Sequence, residues 1–371
     1  MSTTDAVSRD QALYSKKKPG DLEFLQYAAK QSGRGLMSLI MEWRKLNRGR
    51  GKLPLSEYVG YRVYDPELSD EARGRFISNL LHWPITHICC DMTWQAATED
   101  KWLCYHTLKD SPVRVPETLA VFDRTGRAYP GTRKLSGAAD FKDFLAANGD
   151  KPVFCKENRG IASFGAFSIL GTDGDRVNIS GEGWMDFDSF VGDFIGDKAY
   201  LLQSVETNHG FFGQFTANLA TVRLCILARE DGIHVPFAVL KLPTDDNVAD
   251  SFWRSGNMAC ALDPATGEIL KARTRQPFGT DDHTVYPGKD VALIGQTLPH
   301  WQEVLTLAEN CSAVFAPLRY QSMDIAITDD GPVLIEINTG GGFDLPQFAT
   351  GQGFLTDDVC DFFRQCGYQK L

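Results

Sequence analysis

A chain of 371 residues, 43% hydrophobic and 23% charged, is long enough to bury the cores of two or three packed lobes and has the composition of an ordinary globular protein. Its formal net charge of −10 argues against nucleic acid or an anionic membrane surface as the main partner. No apolar run approaches the roughly 20 residues of a membrane span, and the polar start MSTTDAVSRDQALYSKKKPG lacks the apolar stretch of a signal peptide. A cytoplasmic location without a membrane span is therefore expected. Nine scattered cysteines form no Cys-x-x-Cys pair and have no histidine partner at zinc spacing. Most sit in apolar stretches and read as small, reduced, buried hydrophobes.

In chain order, residues 1–20 read as a mobile tail in which Lys16, Lys17 and Lys18 are solvated charge. Helical spacing runs from Leu22 to about Asn47, broken at Gly33-Arg34-Gly35. It ends in a basic run, Arg44 to Lys52, open to a phosphate-bearing partner but more simply a solvated helix end. A second helix is predicted from an N-cap at Ser69 to Leu81, with His82 and His87 structural rather than metal ligands. Glu99–Lys109 reads as a helix with Lys101 in its first turn, where a lysine gains nothing from the helix dipole. A strand over Thr118–Phe122 and a helix carrying Phe141, Phe144 and Leu145 follow.

Lys151–Lys156 reads as a strand ending in a lysine, then a Gly/Ser loop and a returning strand, Ala166–Leu170. Such a loop can fold over phosphates with its N–H groups inward, although an ordinary hairpin has the same pattern. It is not a Walker A loop, because no Gly-Lys-Ser/Thr opens a helix. A helix is expected over Asp186–Ile195. The apolar strand Tyr200–Val205 emerges into polar Glu206-Thr207-Asn208-His209, a setting that suits a nucleotide's base and ribose. In the strand Ala220–Ala228, Arg223 sits among apolar residues. It must be paired, either as a clamp on a phosphate or carboxylate or in a salt bridge to a strand neighbour. Strands over His234–Leu242, Met258–Asp263 and Glu268–Lys271, a loop over Asp245–Gly256, a helix over Pro299–Phe315 and a short helix near 357–366 complete the pass.

Between those last two helices lies a hairpin, Met323 to Asn338, turning at Asp329-Asp330-Gly331. Asp324, Glu336 and Asn338 stand among Ile, Val and Leu, where an unpaired carboxylate is costly to bury. Glu336 and Asn338 share one face. With a three-residue loop, 329–331, Asp324 faces Glu336 directly, and the repulsion between them becomes chelation if a divalent cation such as Mg²⁺ lies between. A two-residue turn would shift the pairing by one. Two acidic residues on a wet face are the ordinary alternative. The glycines 340–342 just beyond would let backbone approach a ligand closely.

The succession of an Asp-Lys helix, a Pro-x-Thr strand, a strand-end lysine with a Gly loop, an apolar strand entering a polar hinge, an Arg strand and an Asp…Glu-x-Asn hairpin is similar to the ATP-grasp superfamily. More narrowly it resembles the sugar-transfer-associated ATP-grasp family, related to alpha-L-glutamate ligase-like proteins. The stretches that carry it are Tyr200–Ser204, Asn218–Arg223, Leu298–Leu305 and Met323–Asn338, and the resemblance covers about residues 95–350. It implies an α+β fold of two lobes clamping ATP between antiparallel sheets, with a helical N-terminal region. The expected division is 1–95 helical N-terminal region, 96–150 linking segment, 151–208 small lobe with the phosphate flap, and 209–371 large lobe with the hairpin.

By the same resemblance, Lys101 and Lys156 contact ATP phosphates, and the loop 158–165, including Ser163, is the flap over them. Gln203 and Val205 offer backbone contacts to adenine and Glu206 faces the ribose. Arg223 clamps a phosphate or acyl phosphate, so Arg223 and Lys156 carry the catalytic roles. Asp324, Glu336 and Asn338 hold Mg²⁺. The flap has fewer glycines than many members, and Thr339-Gly340-Gly341-Gly342 replaces a Trp-Gly-Pro-Gly-like run on the acceptor side. The implied activity is carboxylate–amine ligation through an acyl phosphate, with a small-molecule kinase or a non-catalytic nucleotide-binding module as alternatives. The carboxylate and amine, among them amino acids, peptides or sugar acids, and the oligomeric state are not legible here.

Overall fold

Two seven-stranded sheets carry the architecture of the computed structural model, which describes residues 5–14, 19–149, 151–244, 247, 250 and 254–371. The first sheet is built from β1 (Thr118–Phe122), β2 (Lys134–Leu135), β3 (Val153–Glu157), β4 (Phe167–Thr172), β5 (Arg176–Ile179), β6 (Gly183–Asp186) and β7 (Tyr200–Ser204), in the spatial order β2-β1-β7-β3-β4-β5-β6. Among the described residues only the β1–β2 pair is parallel. The second contains β8 (Thr221–Arg229), β9 (Gly232–Leu242), β10 (Met258–Leu262), β11 (Ile269–Arg275), β12 (Thr280–His283), β13 (Tyr320–Thr328) and β14 (Gly331–Thr339), in the order β12-β11-β10-β9-β8-β13-β14. The fold is α+β with antiparallel-rich sheets, as the resemblance implies.

The helices are α1 (Ala6–Tyr14), α2 (Asp21–Ser32), α3 (Leu36–Arg48), α4 (Leu55–Gly60), α5 (Asp70–Gly74), α6 (His82–Cys89), α7 (Ala96–Glu99), α8 (Lys101–Leu108), α9 (Ala138–Asn148), the single turn α10 (Phe187–Ser189), α11 (Trp301–Val314), α12 (Asp344–Thr350) and α13 (Asp357–Gln365). One core lies under the first sheet, where Phe141, Phe144, Phe167, Phe190 and Phe194 pack together. A larger one joins β8–β11 and β13–β14 to α11 and α13. A third joins α2–α4 to Val239, Ala259, Leu345 and Phe348, so the N-terminal region is seated on the second sheet. All nine cysteines are free thiols, and eight are buried.

Three local expectations are corrected. Residues 6–14 form a helix with Ala6 and Val7 buried rather than a mobile tail, while Lys16, Lys17 and Lys18 lie outside the described residues. The helix expected over 69–81 stops at Gly74, although Ser69 does cap it by accepting from the Ala72 N–H. Its continuation is lost because tertiary partners take the backbone. The Ser78 N–H donates to Gly51 O, the Leu355 N–H donates to Arg75 O, and the Gln347 amide both accepts from the Ile77 N–H and donates to its carbonyl. Finally, α10 runs into a π-helical stretch, Phe190–Ile195, rather than one regular helix. The loop expected over Asp245–Gly256 lies partly outside the described residues.

Candidate functional site

The site begins with a row of charges across three adjacent strands, β8, β13 and β14. Register pairs Arg223 on β8 with Val239 on β9 and with Asp324 on β13, and Asp324 with Glu336 on β14. Alternation sends Met323, Ile325 and Ile327 into the large core and Asp324 to the opposite face. Asp324 and Glu336 thus face each other as expected, by a different route. Thr328 pairs with Gly331, so the ladder closes over a two-residue turn with Gly331 at φ 100°. A β-bulge at Ile335 then shifts the register and restores the Asp324–Glu336 pair. The bulge also leaves the Ile335 carbonyl to accept from the Tyr105 hydroxyl and, at 3.2 Å, from Lys156 Nζ.

A cavity of about 480 Å³ opens between the two sheets beside this row. Lys101, Lys156, Ser163, Gln203, Val205, Glu206, Asp324 and Glu336 all line it. Asn338 and Arg223 do not. Arg223 instead forms a two-bond ion pair with Asp324, at 2.7 and 2.5 Å, the strand-neighbour alternative. The Asn338 Nδ2 is buried without a hydrogen-bond partner. Gly340 and Gly341 also lie away from the cavity: a Cβ on Gly340 would sit 2.2 Å from Thr86 Oγ1, and one on Gly341 3.0 Å from Ser322 Cβ. The close approach these glycines permit is to the protein itself.

The two lysines reach the cavity from different directions. Asp100 caps α8 by accepting from the Leu103 N–H, and this cap fixes Lys101 at the first helical position. Its Nζ donates to Gly160 O at 2.6 Å and pairs with Glu336 at 3.1 Å. Lys156, at the end of β3, donates to the Tyr105 hydroxyl at 2.6 Å. Burial, then the nearby Lys101 cation, lowers its pKa to about 7. The loop between β3 and β4 arches over both, and Gly160, Ser163 and Phe164 line the cavity. Ala162 and Ser163 take consecutive left-handed conformations, φ 54° and 55°, each costing on the order of 1–3 kcal/mol.

At the other end, Gln203 lies in the sheet between Thr118 and Phe154, with its buried side chain donating to Pro116 O. Val205 is the first residue beyond the strand and is exposed. Glu206 pairs with Arg114 at 3.4 Å.

Sequence reasoning missed Lys241 and Asp250, which also line the cavity. Lys241 Nζ lies 3.1 Å from Asp324 and 3.2 Å from Asp250, and Thr221 donates to Asp250. The signal was present for Lys241, a cation inside the apolar strand Phe237–Leu242, as for Arg223. Asp324 therefore faces two cations, and its carboxyl is held down to about 2: burial opposes ionisation, but Arg223 and then Lys241 outweigh it. Asp324 and Glu336 could hold a small hard cation here. Among the described residues, no three His, Cys, Asp or Glu side chains are grouped to hold a metal without help from another donor.

Two mainly antiparallel sheets thus enclose a cavity lined by lysines and carboxylates. The chain matches the sugar-transfer associated ATP-grasp family over residues 93–360, well over half its length, and belongs to that family. No curated protein matches it in sequence. Among solved structures it is similar to VanG D-Ala:D-Ser ligase from Enterococcus faecalis, at 14% identity and TM-score 0.41, covering 74% of this chain and 64% of that one. D-alanyl-alanine synthetase A from Vibrio cholerae gives 12% identity and TM-score 0.42, covering 73% of this chain and 64% of the other. Biotin carboxylase from Campylobacter jejuni gives 11% and 0.39, covering 75% and 52%. The chain thus spans between half and two-thirds of the length of these proteins.

Proposed function

We propose that the protein is an ATP-dependent carboxylate–amine ligase working through an acyl phosphate. The observation that carries this reading is the convergence of Lys101, Lys156 and the Asp324–Glu336 pair at one end of a cavity whose other end is the Val205–Glu206 hinge. In it, residues 151–208 serve as the small lobe and 209–371 as the large one. A carboxylate oxygen attacks the γ-phosphorus, the bond to the β-phosphate oxygen breaks, and ADP leaves. The amine nitrogen then attacks the acyl carbon, phosphate departs, and the nitrogen gives up its proton.

Such transfer needs positioning and charge neutralisation more than covalent help from the protein. Lys101 and Lys156 supply donors to the phosphates, and Val205 offers backbone groups at the base end. The loop 158–165 excludes water from the acyl phosphate. Asp324 and Glu336 fit Mg²⁺ by donor chemistry, because they are paired oxygen donors held face to face on one ladder. Mg²⁺ would neutralise phosphate charge when bound. Lys101 and Lys241, which line the cavity, would then exchange part of their pairing with the carboxylates for pairing with phosphate. Arg223, turned toward Asp324, is assigned to orienting that carboxylate.

The test is ADP release from Mg-ATP with pooled carboxylic acids, with and without hydroxylamine as a surrogate amine. ADP together with a hydroxamate is the expected result, and splitting the pool identifies the acid. ADP with a stable phosphorylated product and no hydroxamate would replace the ligase by a kinase.

A further inference from the structure

The N-terminal helix α1 packs against the loop that lines the cavity. Asp10 Oδ2 accepts from the Gly165 N–H at 2.8 Å and from Arg254 Nη2 at 3.1 Å. Gly165 ends the loop from the first sheet, and Arg254 stands just before β10 of the second. One carboxylate oxygen thus joins the two halves that enclose the cavity. The packing around it is close. A Cβ on Gly165 would sit 2.5 Å from Val7 Cγ2, and the Gly165 carbonyl accepts from the Tyr200 hydroxyl at 3.1 Å. Tyr14 meets Phe164 with ring centroids 5.7 Å apart, while Arg9 pairs with Glu182 at 3.1 Å and covers the Phe194 ring. The helix therefore contacts the loop at Phe164 and Gly165 and is anchored independently on the first sheet.

We propose that Asp10 is a positioning residue for the 158–165 loop, holding it over the cavity and tying it to the second sheet. Its consequence for catalysis rests on the nucleotide reading above; its structural half does not. Asp10 touches none of the cavity-lining lysines or carboxylates, so it acts through the backbone of Gly165. The left-handed pair Ala162 and Ser163 gives the loop a conformation that needs outside support, and the Asp10 contact at Gly165 is placed to provide it. If the nucleotide binds only the held conformation, lowering that population weakens apparent affinity by the same factor.

The test uses the full chain. Arg159 is exposed within the loop and is a trypsin site. In Asp10→Ala without nucleotide, cleavage after Arg159 is expected to quicken about tenfold, the loss of a hydrogen bond to a charged group, with cleavage elsewhere unchanged. Asp10→Asn keeps an acceptor for Gly165 but loses the charge facing Arg254, so it should fall between. Unchanged cleavage at Arg159 in Asp10→Ala would overturn the proposal, and so would faster cleavage at every site, which is general unfolding. In the ligase assay KM for Mg-ATP should rise several-fold while kcat stays within about twofold. Equal ADP affinity in wild type and Asp10→Ala by calorimetry would overturn the role toward nucleotide. Wild type that binds no ADP would sink the nucleotide reading alone and leave the cleavage result to decide the loop contact.

Discussion

Asp324 and Glu336 face each other across one ladder, yet they are unequal as targets for mutation. Asp324 is buried and faces both Arg223 and Lys241, so Asp324→Asn leaves the buried Lys241 and the partly buried Arg223 short of a partner. Breaking a buried pair in this way costs about 3–5 kcal/mol, and the variant should lose thermal stability as well as turnover. Glu336 is nearly a third exposed, and its ion pair among the described residues is with Lys101. Glu336→Gln is expected to keep a near-native melting temperature, since a partly exposed pair contributes about 1 kcal/mol or less. It should lower ADP release by about 100-fold, as removal of one preorganised charged group does. Full turnover in a folded Glu336→Gln enzyme would overturn the metal assignment.

Lys156 makes both stability and ligand affinity depend on pH. Burial, then Lys101, pulls its folded-state pKa down to about 7, while Glu336, Cys104 and Asp324 act in the opposite sense. Between pH 7 and the ordinary lysine value of about 10.4, the unfolded chain binds more protons at this site than the folded one, so its contribution makes stability rise with pH there. Lys156→Met should flatten that rise in a pH series of denaturant titrations. A bound polyphosphate raises the pKa again. Nucleotide affinity is therefore expected to be greatest below pH 7 and to fall as pH rises through it, with about one proton taken up on binding at pH 8. Calorimetry in buffers of different ionisation enthalpy reads that proton directly.

At the scale of elements, the junction between the N-terminal region and the second sheet depends on one amide. Gln347 of α12 accepts from the Ile77 and Phe354 N–H groups and donates to Ile77 O, mimicking a strand where no strand exists. Gln347→Leu keeps the volume and leaves three backbone groups buried without partners, each costing about 1–3 kcal/mol. A loss of about 3 kcal/mol or more in denaturant midpoint analysis is expected, with 75–81 becoming the first segment to exchange amide protons. A loss below about 1 kcal/mol would show that water reaches these groups. The same amide explains why the helical spacing from Ser69 toward Leu81 is not followed: 75–78 give up helix bonds for long-range ones.

For the molecule as a whole, a cavity between two separately cored sheets makes ligand binding and stability one equilibrium. Mg-ATP or Mg-ADP at 100 times its dissociation constant should stabilise the folded state by about 2.7 kcal/mol, read as a rise in melting temperature. The rise should be smaller in Lys101→Met. No shift with any nucleotide would mean that the cavity serves another ligand. Among the described residues no helix is long and apolar enough to cross a membrane, in keeping with the absence of a long apolar run in the sequence.

The chain by itself determined which residues would be costly to bury and which face of each strand they share, because period-two alternation and charge desolvation are local. Arg223, Asp324 and Glu336 stood out among apolar neighbours for that reason, and the hairpin and most strands were legible for the same one. Only the tertiary structure decided that Arg223 turns to Asp324 rather than into the cavity, that Lys241 joins them, and that a bulge at Ile335 brings Asp324 opposite Glu336. It also decided that glycines 340 and 341 receive α6 and Ser322, and that α1 reaches the loop at Gly165. Each of these depends on groups far apart in the chain meeting at hydrogen-bond or contact distance, a matter of how the sheets and helices pack, which local periodicity does not encode.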